Sequence, residues 1–384
     1  MPAVAPGRPR PRAYNQSVTL PRLTIRAIRS TAVTVPLNYV LGTSAAAVRE
    51  APLLLVDLDT DEGVTGHAYQ FCYRAAAAPA IAGFLNDIGD AVNGQPLVPV
   101  DLWALLTRRH TLIGVEGIVR MAMSLIDVAA WDALALAAGQ PLAQFLGAEP
   151  RPIPAYNSNG LGLMPSPALA DEAQRLLEGG FRAVKLRLGY PTLEEDVAAL
   201  NAVRARLPGD ISIMADYNQA LSAEEALRRG RALDGEGLTW IEEPIRHDDF
   251  TGAARLAEAL STPVQIGENF SQVYDMQKAL DARACDLVMP DLERIGGVTG
   301  WRRASALAAE AGLPMSSHLY PEVSAHLLAA TPTAHWLEYV DWMVPLLVDP
   351  LEIREGMAVA SSRPGLGLEW NPDVVRYTRR RSER

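Results

Sequence analysis

Cysteine is scarce in this chain of 384 residues: Cys72 and Cys285 are the only two. Two thiols cannot build a disulfide framework, and each stands among apolar neighbours as a small core residue does. A reducing, cytoplasmic setting is the expectation that fits this usage. Long hydrophobic runs are also missing. Although 49% of the residues are apolar, no run approaches the length of a membrane span, so a soluble globular protein without a membrane partner is expected. The most apolar long segment, 119–138, is interrupted by Arg120, Asp127 and Asp132 and reads as a mostly buried helix. Positive charge is short as well, since 35 Lys and Arg face 45 Asp and Glu for a net charge of −10. That balance argues against general nucleic-acid binding. An anionic substrate would need local cations to offset it. Residues 1–21, rich in Pro and Arg without an apolar centre, read as a loose arm rather than a signal peptide, and 376–384, RYTRRRSER, reads as a solvated basic tail.

The chain has two kinds of order instead. Over 23–69 the pattern is strand-like, with an apolar loop expected at 37–48 between the first two strands. Helical periodicity follows at 75–92, 100–109 and 117–138. Strands and then helices imply an α+β unit over 22–150. Beyond residue 152 the order becomes alternation. Strands are expected at 153–157, 183–188, 211–217, 239–243, 264–268, 287–290, 315–318 and 336–339, with amphipathic segments such as 167–179, 193–207 and 298–311 between them. Eight such strands are the complement of a (β/α)8 TIM barrel, placed at 151–340. The last helix between strands is weakly marked, and 341–384 is expected to return to the first unit. The fold class is α/β.

Three apolar runs, ISIMADYN, TWIEEP and PVQIGEN, turn acidic at their carboxyl ends, at Asp216, Glu242 and Glu268. Both spacings are 26 residues, the length of one βα unit. A single acid at a strand end is usually a helix cap or a surface charge. Three in equal register on adjacent parallel strands converge on one edge, and converging anions call for a cation. With oxygen ligands and neither Cys nor His among them, Mg2+ suits the set better than zinc or copper.

Other strand ends add to this edge. In AVKLRLG, Lys185 and Arg187 are two apart, so alternation points both inward; a structural ion pair is the rival reading, above all for Arg187. Asp291 in LVMPD and His318 in PMSSHL fall on neighbouring strands, where a carboxylate would fix the tautomer of an imidazole and raise its basicity. The other histidines, at 67, 110, 247, 326 and 335, read as satisfied polar residues. Glu338 in HWLEYV is open to two readings, a protonated donor to a substrate carboxylate or a partner for Lys185. Together these groups describe removal of a proton α to a carboxylate, with a metal ion stabilising the enediolate.

Across EGIVRMAMSLIDVAAWDAL, FRAVKLRLGYP, IMADYNQ, WIEEP, VQIGEN, MPDLERIGGVTGWRRASALA and PMSSHLYPEVSAHLLAATPTAHWLE, the chain closely resembles the mandelate racemase family of the enolase superfamily. The resemblance implies a capping domain over a modified barrel whose last helix is replaced by the returning chain. It implies Mg2+ on Asp216, Glu242 and Glu268, carboxylate contacts from Lys185 and Glu338, a hydroxyl contact from Asn218, and His318 with Asp291 as the base facing the (R) enantiomer. A small carboxylic acid as substrate and a homo-octamer are further implications. Two positions depart from the family pattern. Arg187 replaces a lysine that serves as the base for the (S) enantiomer, and an arginine holds its proton at any physiological pH. Gly160 replaces a serine that helps to bind the carboxylate. The leading expectation is a racemase of a mandelate-like 2-hydroxy acid. A sugar-acid dehydratase using His318 alone is the alternative, and a carboxylate binder without turnover is a third.

Overall fold

The structure is a computed structural model that describes residues 21–44 and 46–375. The expected N-terminal arm, apart from Pro21, and the basic tail lie outside the described residues. Strands β1 (Ile25–Gly42), β2 (Ala47–Thr60) and β3 (Thr65–Phe71) form an antiparallel meander. The apolar loop expected at 37–48 is instead the tip of the first hairpin. Its ladder is irregular after Pro36 and re-forms at Leu41↔Val48 and Gly42↔Ala47.

Four helices follow: α1 (Ala77–Val92), α2 (Pro99–His110), α3 (Gly117–Ala137) and the short α4 (Leu142–Phe145). Helix α1 buries Ala78, Ile81, Leu85, Ile88 and Val92, one face at helical spacing. In contrast, α3 is buried almost all round, which is why its sequence is so apolar. Two of its charged residues serve other segments: Asp127 accepts from the Thr299 amide and hydroxyl, and Asp132 from the amides of His67 and Leu366. Strand β3 lies directly on α3, because a Cβ at Gly66 would stand 2.0 Å from the Ala129 carbonyl oxygen.

The second unit alternates. Its elements are β4 (Ile153–Asn157), α5 (Ser166–Arg175), β5 (Ala183–Arg187), α6 (Leu193–Arg206), β6 (Ser212–Asp216), α7 (Ala223–Leu233), β7 (Ile241–Glu242), α8 (Phe250–Ala259), β8 (Val264–Ile266), α9 (Val273–Asp281), β9 (Leu287–Val288), α10 (Leu292–Ile295), α11 (Gly297–Ala311), α12 (Pro321–Ala329) and β10 (Leu337–Tyr339). Strands β4 to β9 pair in parallel order, and β10 pairs with β4 to close the ring. The seventh position, 315–318, forms no continuous strand. Isolated parallel bridges hold it, Val288↔Met315 and Asp291↔His318 on one side and Met315↔Ala334 on the other. Helix α12 is buried at all nine positions; with no polar face it has no amphipathic period, which explains its weak mark in the sequence.

Alternation decides what faces the barrel axis. Tyr156, Ala183, Met214, Trp240 and Leu287 fill the interior, whereas Val184, Leu186, Ile213 and Ala215 pack outward on residues such as Leu200, Val203 and Leu233. After β10 the chain forms a small hairpin, β11 (Ile353–Arg354) and β12 (Met357–Ala358), against the start of β4. It then reaches the first unit. The Leu142 amide donates to Gly365 O at 2.7 Å and Trp370 Nε1 to Asp57 Oδ1 at 2.8 Å. Both cysteines are buried and free. Among the described residues no helix is long and apolar enough to cross a membrane.

Candidate active site

A cavity of about 1080 Å3 opens where the barrel strands end, roofed by the β1–β2 hairpin. Its roof and wall include Leu41, Val48, Phe71 and Tyr73 from the first unit, and its floor carries the charged groups of the barrel.

Lys185 is the centre of that floor. Its Nζ stands 2.6 Å from Glu242 Oε1, 2.8 Å from Glu338 Oε1 and 3.2 Å from Asp216 Oδ2, and its side chain is 2% exposed. Burial works against its charge, yet these carboxylates push the ammonium well above its ordinary pKa. Glu338 also accepts from Ser158 Oγ at 2.6 Å and from the Leu319 amide at 2.8 Å. Although burial opposes it, Lys185 and His318 pull the Glu338 carboxyl down to about 2. Of the two readings open for Glu338, the structure shows the partner of Lys185.

His318 faces this group from the other side. Its Nδ1 is 2.7 Å from Asp291 Oδ2, and its Nε2 is 3.2 Å from Glu268 Oε2. Asp291 Oδ1 accepts from the amides of Glu293 and Arg294 at the start of α10. All the donors around Asp291 suit an ionised carboxylate, so Nδ1 carries its hydrogen toward Asp291 and Nε2 is left toward the cavity. Burial disfavours a charge on the ring; Glu268, Glu338 and the hydrogen bond to Asp291 outweigh it and push the imidazole up to about 9.

Of the three acids expected to share a metal ion, Asp216 and Glu268 line the cavity while Glu242 is fully buried against Lys185, so they do not meet at one point. Asp216 and Glu242 lean on Lys185, while Glu268 turns to His318 and to Asn269 Nδ2 at 3.1 Å. As the side chains stand, no three acidic, histidine or cysteine groups among the described residues are gathered closely enough to hold one ion. Glu243, which the sequence reading passed over, lines the cavity beside Asp216 and Glu268. A backbone φ of 37° at this residue breaks the alternation that would otherwise turn it outward. Both its oxygens accept from Asn269 Nδ2, at 2.9 and 3.0 Å. Burial and the charges of Glu268 and Asp216 push its carboxyl well above the usual range. Asn218 donates its amide and Nδ2 to Asp216, and its own Oδ1 is buried without a partner. An orphaned carbonyl oxygen among four carboxylates is a donor set that fits a hard divalent cation.

Arg187 departs from Lys185. It is 4% exposed and lines the cavity. Nη1 donates to the carbonyl oxygens of Ser158 and Gly160 at 2.9 and 2.8 Å, and Nη2 to Ser158 Oγ at 2.9 Å. Among the described residues, the ion pair expected as its rival reading is not there. Gly160 takes part in this arrangement: it holds φ +58°, which strains any other residue, and a Cβ on it would require Glu172 Oε1, 2.2 Å away, to move. Arg294, also missed by the sequence reading, donates to Glu268 O and Asn269 Oδ1 and lies over the Tyr73 ring at 4.8 Å. The run MPDLER offers little sign of this, because the contact joins α10 to the end of β3.

Known proteins share this architecture. Residues 25–147 match the mandelate racemase / muconate lactonizing enzyme N-terminal domain, and 168–374 match the enolase C-terminal domain-like family. An L-talarate/galactarate dehydratase of Salmonella typhimurium is 33% identical over 86% of this chain and 83% of its own length. Among solved structures, an enolase from alpha pretobacterium bal199 with bound Mg is 42% identical, with a TM-score of 0.91, covering 93% of this chain and 99% of its own. An enolase from Bradyrhizobium complexed with magnesium and mandelic acid is 40% identical, with a TM-score of 0.89 and the same coverage. With both domains matched in order around one acidic barrel mouth, the chain belongs to the mandelate racemase / muconate lactonizing enzyme family of the enolase superfamily.

Proposed function

We propose that this protein is a Mg2+-dependent dehydratase of a hydroxylated carboxylic acid, with the His318–Asp291 pair as its one base. The observation that carries this reading is the contrast between the two flanks of the cavity. Lys185 is held protonated by three carboxylates and Arg187 is a permanent cation, so neither accepts a proton at neutral pH. His318 Nε2 does face the cavity.

Asp216, Glu242 and Glu268, with Glu243 beside them, would hold the metal. When bound, Mg2+ would stabilise the negative charge that develops on the substrate carboxylate, and would neutralise Glu268, the foremost of the charges that raise His318. Lys185 holds the substrate carboxylate, and Asn218 contacts the 2-hydroxyl. His318 Nε2 takes the proton from the α-carbon while Asp291 steadies the imidazolium. The electron pair left at the α-carbon forms a double bond to the β-carbon, and the β-hydroxyl departs as water with the proton that His318 returns. The enol then becomes a 2-keto acid, the β-hydroxyl lost as water and the 2-hydroxyl oxygen now the ketone. Incubating the Mg2+-loaded protein with a panel of aldonic and aldaric acids and assaying 2-keto acids tests this; a panel without product, beside inversion of a 2-hydroxy acid, would overturn it.

Racemisation of a mandelate-like acid is the second reading. The Bradyrhizobium relative holds mandelic acid, and the apolar side chains of Leu41, Val48, Phe71 and Trp342 line this cavity. It requires a proton acceptor on the Arg187 face. Following α-hydrogen exchange in D2O on each enantiomer separately divides the readings: racemisation exchanges both and inverts them, whereas one base exchanges one.

A further inference from the structure

Helix α2 has an outer face that nothing in the chain covers. Its inner face, Pro99, Leu102, Leu106 and His110, is buried. On the other side Val100, Asp101, Ala104 and Arg108 are exposed, a stripe at helical spacing. Just past the helix, Leu112 is wholly exposed and Ile113 is 65% exposed. A single exposed leucine is ordinary. What sets this tip apart is a groove of matching chemistry on the same molecule.

The groove lies at the other end of α2. Val100 joins Leu146, Trp301 on α11 and Leu327 on α12 around a cavity of about 370 Å3. Arg302 and Arg303, both exposed, line it too. Arg302 lies over the Trp131 ring at 5.2 Å, and neither arginine makes an ion pair among the described residues. The tip carries the opposite charge. Glu116, exposed and likewise without an ion pair among the described residues, follows Ile113 by three positions.

We infer that this face binds a second copy of the chain, with two α2 helices antiparallel across a twofold axis and each Leu112–Ile113 tip seated in the other copy's groove. The helix has 12 residues and is roughly 18 Å long, with the groove at its start and the tip at its end. An antiparallel pair therefore brings each tip to the opposite groove, and Glu116 of one copy to Arg302 and Arg303 of the other. The charges on the stripe fit the same arrangement. Asp101 is third from one end of α2 and Arg108 third from the other, so each meets its opposite across the axis, and neither has an ion-pair partner among the described residues of its own chain. Ala104, near the middle, lets the two backbones approach. Such a contact is isologous, one surface serving both copies. It uses no residue that lines the catalytic cavity and does not rest on the reaction proposed above.

Sedimentation velocity on the full chain, over a range of concentrations, reads the contact. The intact protein is expected to associate. Leu112→Asp should weaken that association by about tenfold or more, with the far-UV circular dichroism unchanged because the side chain is wholly exposed. Asp101→Arg and Arg108→Asp should each weaken it as well, by setting like charges against each other across the axis. The double variant should restore it, which happens only where the two residues meet between copies. An intact protein that stays a monomer would overturn the inference and leave the groove to a small amphipathic anion. A Leu112→Asp protein that associates as before would overturn it too, as would a double variant no stronger than the single ones.

Discussion

On the β5 flank of the barrel mouth stand Lys185 and Arg187; across the cavity stands His318, the proposed base. Both flanks are buried, and Glu338 is the one acid that both Lys185 and His318 approach among the described residues. The difference lies in which charges surround each group. Lys185 is enclosed by three carboxylates, and Arg187 is fixed by backbone carbonyls that an arginine satisfies with several donors at once. His318 is held at Nδ1 by Asp291 and meets Glu268 at Nε2, the nitrogen on the cavity side. In the proposed reading, such a mouth carries a proton on one face and an anion on the other.

The largest test of that asymmetry is His318→Asn. It should lower kcat by about 10^2 to 10^4-fold and abolish α-hydrogen exchange, read by mass spectrometry in D2O; exchange that persists would place the base elsewhere. Removing the opposite cation acts on stability. Lys185→Met leaves Asp216, Glu242 and Glu338 facing one another in a buried site, and should destabilise the metal-free protein by about 3–5 kcal/mol in denaturant titrations with a chelator present.

His326 sharpens the comparison from a different side. It is buried on α12, accepts from the Ala143 amide at 3.2 Å, makes no ion pair among the described residues, and is pushed down to about 4 by burial, the opposite of His318. A base whose folded pKa lies below its unfolded value binds fewer protons in the native state. Stability is therefore full above the unfolded pKa and is lost as pH falls from about 6.5 through about 4, on the order of 1–3 kcal/mol. Unfolding at pH 7.5 and pH 5 checks it; His326→Gln should remove that part of the slope. The smallest expected effect is the most specific. Arg187→Lys puts an ionisable amine on the second face and should raise α-hydrogen exchange of the unreactive enantiomer by about tenfold, measured separately on each enantiomer. No gain would show that the Ser158 and Gly160 carbonyls hold any cation there in its protonated form.

Much of this site was legible because strands obey a period of two. That period turned Lys185 and Arg187 inward together, and the equal spacing of Asp216, Glu242 and Glu268 brought them to one edge. The pairing of His318 with Asp291 followed from neighbouring strands, even though the seventh strand is present only as bridges. Glu243 was missed because the same period points it away, and a positive φ at the end of β7 reverses its direction. Arg294 and Tyr73 were missed because they meet only when α10 packs against the end of β3. The loop expected at 37–48 became a hairpin tip because backbone pairing across Leu41 and Val48 outlasts the irregularity at Pro36.

The order of apolar runs along the chain determined, without further help, an alternating barrel, its acidic rim and the contact of His318 with Asp291, since periodicity and strand ends are local properties. Only the packed molecule decided which charge neutralises which. That Lys185 takes three carboxylates and Arg187 takes none depends on distances of a few ångströms between strands far apart in sequence, and electrostatic energy in a buried site is set by those distances rather than by residue type.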